Sequence, residues 1–206
     1  MARLLFTSIE FGSLADPVDQ ATEQRLSKLI GKPIKFMKQS HSDQITILAT
    51  QKDADQLTTA PAADGLVSNQ SNIALAVRVA DCLPLLLHST TVVAAIHVGR
   101  KGLLNKVALN AVTQMRLLGA EQITGIVGPH ICGNCYEVDS QMFTEITKTH
   151  PATAGKNKHL NLFAGLAKQL AGIELTNLGI CTKEHTSYYS HRRDGNLGRQ
   201  VGVICL

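Results

Sequence analysis

The sequence predicts a mixed α/β fold, with a sheet core and helices packed outside it. Three observations lead there. Short apolar or alternating runs that read as strands outnumber the amphipathic helical runs. The helices interrupt the strands irregularly rather than in strict alternation, which argues against a regular doubly wound order. Hydrophobic residues make up 44% of the chain, yet aromatics are 4% and Trp is absent, so the core must be mostly aliphatic. No Pro/Gly/Ser-rich linker or charge block divides the 206 residues, which favours a single domain over 1–206.

In order, "LLFTS" (4–8) reads as a strand. "DPVDQATEQRLSKLIG" reads as a helix, with Asp16 as N-cap, Pro17 at the first helical position and Gly31 closing it. "KPIKFMKQS" (32–40) and "QITIL" (44–48) alternate like half-buried strands, with His41 in the turn between them. The stretch 51–62 reads as a polar loop, and "ADGLVSN" (63–69) as a turn and short strand. "NIALAVRVAD" (72–81) and "LPLLLHS" (83–89) are two strands or one bent one, and "TVVAAIHVG" (91–99) is another. Apolar residues at helical period from Leu103 to Leu118 predict a helix ended by Gly119. "ITGIVGP" (123–129) is a strand that breaks at Gly128-Pro129. Helices follow over 139–150, capped by Asp139 or Ser140, and over 158–172, starting near Asn161 and closing at Gly172. The segments 176–181, 186–190 and 200–206 complete the strands.

Composition removes several function classes. The net charge of +4 is mild and evenly spread, without the basic stripe or module that binds a nucleic acid polymer. No apolar run approaches the roughly 20 residues a membrane-spanning helix needs. The N-terminus lacks the long apolar run and cleavage site of a signal peptide. Five cysteines, an odd number in a chain of ordinary size, favour a reducing cytoplasm over a disulfide scaffold. A Gly-rich dinucleotide fingerprint and a P-loop are both absent from the sequence.

The chemistry gathers around "VADCLPLLLHSTTVVAAIHVG" (79–99). Cys82 and His97 lie almost symmetrically about the "STT" turn, so a hairpin would bring them together at its open end. Two chemistries use such a pair. His97 can lower the thiol pKa and make Cys82 a nucleophile. Alternatively both bind zinc, with His41 of "SHSD" as third ligand and a fourth position open for a water whose pKa falls to about 7. Spacing does not choose between them. Asp81 is a candidate partner for a ligand imidazole or a proton shuttle. Arg192 and Arg193 suit a phosphate or another small anion, with Lys101 and Arg100 as alternatives and Arg199 a weaker one. Cys132 and Cys135, in "CGNC", are a redox pair or half a zinc site; the latter needs two more ligands, of which His130 supplies at most one. The balance favours a structural role for them, and Cys181 and Cys205 read as core.

Five blocks then occur in order: "ADGLVSN", "VADCLPLLL", "AAIHVGRKGLL", "GPHICGNCYEV" and "CTKEHTSYYSHRRDGNLGR". From about residue 35 to the C-terminus the chain resembles the YfiH-like, or laccase-domain, family, once labelled multicopper polyphenol oxidases. The resemblance implies a sandwich of mixed sheets flanked by helices. It implies a metal triad of His41, Cys82 and His97, and a purine nucleoside phosphorylase activity acting on a nucleoside and phosphate, with adenosine deaminase activity beside it. It also implies zinc rather than copper, since a multicopper enzyme needs many more His ligands. Three other readings stand against that one: an amide hydrolase editing UDP-muramyl peptidoglycan precursors, a metal-free Cys–His hydrolase, and a non-catalytic binding protein. The chain departs from the family pattern where Arg100 and Lys101 replace Trp and Arg, where Ser42 replaces Gly, and in its reduced N-terminal block "FTSIEFGS".

Overall fold

Alternation along the strands decides the layering. The computed structural model describes residues 2–57, 59–195 and 197–206; Met1, Thr58 and Asn196 lie outside it, so the 51–62 segment and the "DGN" turn are described only in part. Among the described residues, one sheet has four strands in the order β1 (Arg3–Phe6), β10 (Gln200–Cys205), β5 (Ala74–Val79) and β2 (Ile34–Lys35). The other has six, in the order β3 (Ile45–Leu48), β4 (Gly65–Ser68), β7 (Val93–Val98), β6 (Leu83–His88), β8 (Thr124–Val127) and β9 (Glu174–Asn177). Both sheets are mixed: β2–β5, β3–β4 and β8–β9 are parallel, and the remaining pairs antiparallel.

Successive side chains point to opposite faces of a strand, so a strand buried on both faces serves two cores. Leu75, Val77 and Val79 of β5 meet Leu86 of β6 and Val93 and Ala95 of β7 in the core between the sheets. Ala74 and Ala76 point the other way, with Val201 and Val203, onto Leu26 and Ile30 of α1 (Gln20–Ile30). On the far side, Leu85 and Leu87 of β6 pack with Val107, Ala111 and Met115 of α4 (Val107–Leu117) and Leu166 of α6 (Leu162–Gln169). The result is a helix–sheet–sheet–helix sandwich, as the family resemblance implied.

Several boundaries differ from the sequence expectation, each for a local reason. Asp19, not Asp16, caps α1, because its Oδ2 accepts from the Thr22 amide at 2.9 Å; Gly31 closes the helix in the left-handed region as expected. Residues 51–56 form α2 (Gln51–Gln56) rather than loop, since Thr50 and Asp53 exchange side-chain bonds with each other's amides in a capping box. The 32–40 strand shrinks to β2. The 103–119 helix starts earlier, as α3 (Arg100–Leu104), and breaks at Lys106, whose φ is 64°. Asp139 caps α5 (Ser140–Thr149) and Asn161 caps α6. Residues 186–190 are not a strand; Ser190 instead caps α7 (His191–Asp194).

β5 and β6 are not one bent strand but members of different sheets. The chain crosses from one to the other at Asp81, whose φ of 88° lies in the left-handed region that few side chains other than Asn and Asp adopt. That crossing places Asp81 and Cys82 at a rim shared by both sheets. The β6–β7 hairpin is the predicted one: the Ser89 amide donates to Val92 O at 2.8 Å to close the turn, and Pro84 pairs with His97 across the ladder.

Candidate metal centre and active-site cavity

Three segments far apart in sequence converge at the hairpin's open end. Cys82 precedes β6, His97 is the penultimate residue of β7, and His41 lies in the turn before β3, with φ 62°. Cys82 Sγ lies 3.8 Å from His41 Nε2, and the imidazoles of His41 and His97 meet edge to face with centroids 4.7 Å apart. One donor atom from each of the three falls within 4.8 Å of the others. A tetrahedral zinc with Zn–S near 2.3 Å and Zn–N near 2.0–2.1 Å sets S···N at about 3.6 Å, so the donor set fits such an ion.

Asp64, just before β4, organises the centre. It is fully buried. Its carboxylate accepts from the amides of Ser40 (3.1 Å), His41 (3.0 Å) and Ser42 (2.6 Å) and from the Ser42 hydroxyl (2.7 Å). It also faces His97 Nδ1 at 2.7 Å. An ionised carboxylate only accepts, so His97 Nδ1 carries the proton and its Nε2 is left for Cys82 and a metal. Burial pushes Asp64 up, but His97 and Ser42 outweigh it and hold the carboxyl well below the usual range. Sequence reasoning missed this residue. Its signal was the invitation of "ADG" to a local turn, which conceals a long-range partner. Of the two roles open to Asp81, imidazole partner or proton shuttle, the first falls to Asp64 instead: Asp81 Oδ1 accepts from the Thr182 hydroxyl at 2.7 Å and Oδ2 from the Arg192 amide at 2.6 Å. Its strand-crossing conformation turns the carboxylate toward the C-terminal segment instead of the hairpin.

Charge in the centre is strongly coupled. Burial pushes the Cys82 thiol up, but the His97 charge and the His41 contact more than offset this and bring it down to about 6. Burial pushes His97 down, while the Cys82 thiolate and Asp64 raise it to about 9. The three side chains therefore favour a thiolate beside an imidazolium when no cation is present. Gly99 makes the packing feasible, for a Cβ there would lie 2.7 Å from His41 Cδ2 and 3.1 Å from Cys82 Sγ.

The centre opens into a cavity of about 740 Å³ that includes Asp81, Arg78, Arg100, Tyr136, Arg192 and Arg199 in its lining. Arg192 donates to Glu137 O at 2.8 Å and lies over the Tyr136 ring, 5.2 Å from its centroid. Burial raises the Tyr136 hydroxyl, and Arg100 partly opposes that through charge and a hydrogen bond. Two of the expected anion-binding residues are elsewhere. Lys101 is exposed on α3 outside the lining, where its neighbour Arg100 takes the inward place. Arg193 is spent on a clasp: its guanidinium pairs with Asp194 and donates to Thr182 O at 2.7 Å and Tyr188 O at 2.7 Å. Of the two adjacent arginines of α7, Arg192 lines the cavity and Arg193 does not. Among the described residues, no helix is long and apolar enough to cross a membrane.

Comparison with known proteins agrees with this architecture. A Bacillus licheniformis protein described as hypothetical protein YfiH superposes with a TM-score of 0.84 at 25% identity, covering 100% of this chain and 92% of that one. A Neisseria meningitidis protein superposes equally well, TM-score 0.84 at 24% identity, over 100% and 94% of the two chains. In sequence, the chain is 33% identical over 206 residues to a protein of Corynebacterium glutamicum named purine nucleoside phosphorylase, covering 93% of this chain and 83% of that one. It is 34% identical over 200 residues to one of the same name from Streptomyces griseus, covering 90% and 80%. The family model described as multi-copper polyphenol oxidoreductase laccase matches residues 10–206. By that match and these relatives, the chain belongs to the YfiH-like, laccase-domain family.

Proposed function

We propose that this protein is a purine nucleoside phosphorylase that holds zinc on His41, Cys82 and His97. The observation that carries the reading is the convergence of three metal-donor atoms within 4.8 Å at the edge of a cavity that Arg100, Arg192 and Arg199 also line. The names of the relatives support the substrate class. The donor set supports zinc: one thiolate and two imidazoles suit a single borderline ion, while a multicopper centre requires many more imidazoles.

Phosphorolysis needs a phosphate oxygen to attack C1′ as the C1′–N9 bond breaks. The bond's electron pair then departs with the purine, which takes up a proton. Arg192, fixed at its amide by Asp81, and Arg100 supply positive charge for the phosphate. Tyr136, between these arginines, supplies an aromatic face and a hydroxyl. Asp64 orients the His97 imidazole through Nδ1 and anchors the turn that carries His41 through its backbone amide. When bound, zinc supplies a Lewis acid that polarises a substrate oxygen or activates water. Because three protein donors leave a fourth position open, the site also supports a second reading, adenosine deamination by water.

The test is a nucleoside screen on freshly purified protein whose metal content has been measured. Free base and ribose 1-phosphate are expected in equal amounts from adenosine or inosine, and only with phosphate present. Inosine formed from adenosine without phosphate would support the deaminase reading. Arg192→Ala is expected to raise KM for phosphate about ten-fold or more, the worth of a lost charge-assisted contact. Stoichiometric zinc without turnover of any nucleoside would overturn the proposal, and turnover of a muramyl-peptide precursor instead would replace it with amide hydrolysis.

A further inference from the structure

A second cluster lies outside the triad. Cys132 and Cys135 occupy the two ends of the "CGNC" turn, closed by the Cys135 and Tyr136 amides donating to Cys132 O at 3.0 and 3.2 Å. Sequence left this pair two ligands short and assigned Cys181 to the core. The structure brings Cys181 beside them, through a bridge that pairs His130 with Cys181 in parallel. One turn later Glu184 swings over the same point. The three Sγ atoms and a Glu184 carboxylate oxygen all lie within 4.8 Å of one another. The Cys132 amide donates to Cys181 Sγ at 3.4 Å, and Cys135 Sγ donates to Glu184 Oε1 at 3.2 Å. His130, the ligand that sequence offered, is turned to Gly128 O through Nδ1 at 2.8 Å.

We propose that Cys132, Cys135, Cys181 and Glu184 form a second, structural site for a thiophilic divalent cation of the zinc class. Four protein donors close the coordination shell, in contrast to the open three-donor triad, and closed thiolate-rich shells are structural. A C-x-x-C turn completed by two ligands from a remote segment is how such sites staple loops. The Cys132 amide directed at Cys181 Sγ ties the remote segment's sulfur to the C-x-x-C turn. Without a cation Cys135 is a thiol that donates to Glu184; a divalent cation bound here would displace the thiol protons and balance the charge of the thiolates and carboxylate around it.

The site's position gives it a task. It joins the 128–138 loop, which lines the cavity, to the 178–190 segment, which braces lining residues from behind. Ile131 and Tyr136 come from the first. The second supplies Thr182 to Asp81 and receives the Arg193 clasp that precedes the strand β10. A cation here holds Tyr136 and Arg192 in register with the triad without touching substrate.

The test uses full-length protein carrying His41→Ala and Cys82→Ser, which removes the triad's thiolate, so that any cobalt–thiolate absorption comes from the second site. The protein is kept reduced, stripped with chelator and titrated with cobalt(II). The expected result is a near-ultraviolet sulfur-to-cobalt band that saturates at one equivalent, is bleached by zinc, and accompanies a rise in thermal midpoint. Cys181→Ser in this background is expected to lose band intensity. Glu184→Gln, exposed and tolerant of substitution, is expected to keep the band but require more cobalt to reach it. Absence of the band in protein that is folded by circular dichroism overturns the proposal. So does a disulfide between any two of these cysteines, found by mass spectrometry in freshly purified protein.

Discussion

Asp64 is the residue on which the triad depends most. Its carboxylate takes donors from Ser40, His41, Ser42 and His97 while fully buried. Asp64→Ala orphans all of them, and a loss of about 3 kcal/mol or more is expected in urea unfolding. The milder Asp64→Asn keeps the shape but cannot accept at both oxygens, and zinc affinity measured against a competing chelator should fall about 10–100-fold. Gly99→Ala inserts a methyl between His41 and Cys82 and should weaken the same competition while leaving the fold's circular dichroism unchanged. The Cys82 thiol gives a pH readout. Because its pKa is lowered to about 6, the thiolate is present above that pH and lost below it. In chelator-stripped protein, iodoacetamide should therefore modify Cys82 with a midpoint near pH 6. Burial pushes Cys132 and Cys135 the other way, so they should stay unreacted until much higher pH. A midpoint near the ordinary thiol value would show that the His97 charge is not felt at Cys82.

At the scale of elements, what the sequence shows well are the units whose signals are local. The hairpin of β6 and β7, the caps Asp139 and Asn161, and the helix end at Gly31 each rest on neighbours a few residues away. The failures share a cause. Thr50 and Asp53 form a capping box that polar composition disguised as loop, and residues 186–190 alternate like a strand but find no partner strand. The short α7 shows how element placement assigns function, because it sends Arg192 inward and commits Arg193 to the clasp on Thr182 and Tyr188. Arg193→Ala should accelerate amide exchange across 182–195 and leave the β6–β7 hairpin protected, as local opening of a segment held by few apolar contacts requires. Equal acceleration in both regions would mean that the clasp supports the whole fold.

For the whole molecule, stability sits in the layer between the two sheets. Leu86 is completely buried there against residues of both. Leu86→Ala should cost about 2–5 kcal/mol, read as a lower urea midpoint at unchanged slope. From the sequence alone came the mixed α/β class, the aliphatic core, most strand positions and the identity of His41, Cys82 and His97 as a set, the last through ordered motif blocks. Those properties follow from periodicity and local chemistry, which one stretch of chain carries by itself. Only the tertiary structure revealed that β5 and β6 belong to different sheets, that Asp64 rather than Asp81 holds His97, and that Cys181 and Glu184 reach Cys132 and Cys135. The last two join segments separated by tens of residues, and the first follows from which other strands β5 and β6 pair with. Which distant side chains meet is fixed by how sheets and helices pack, and no local pattern in the chain records it.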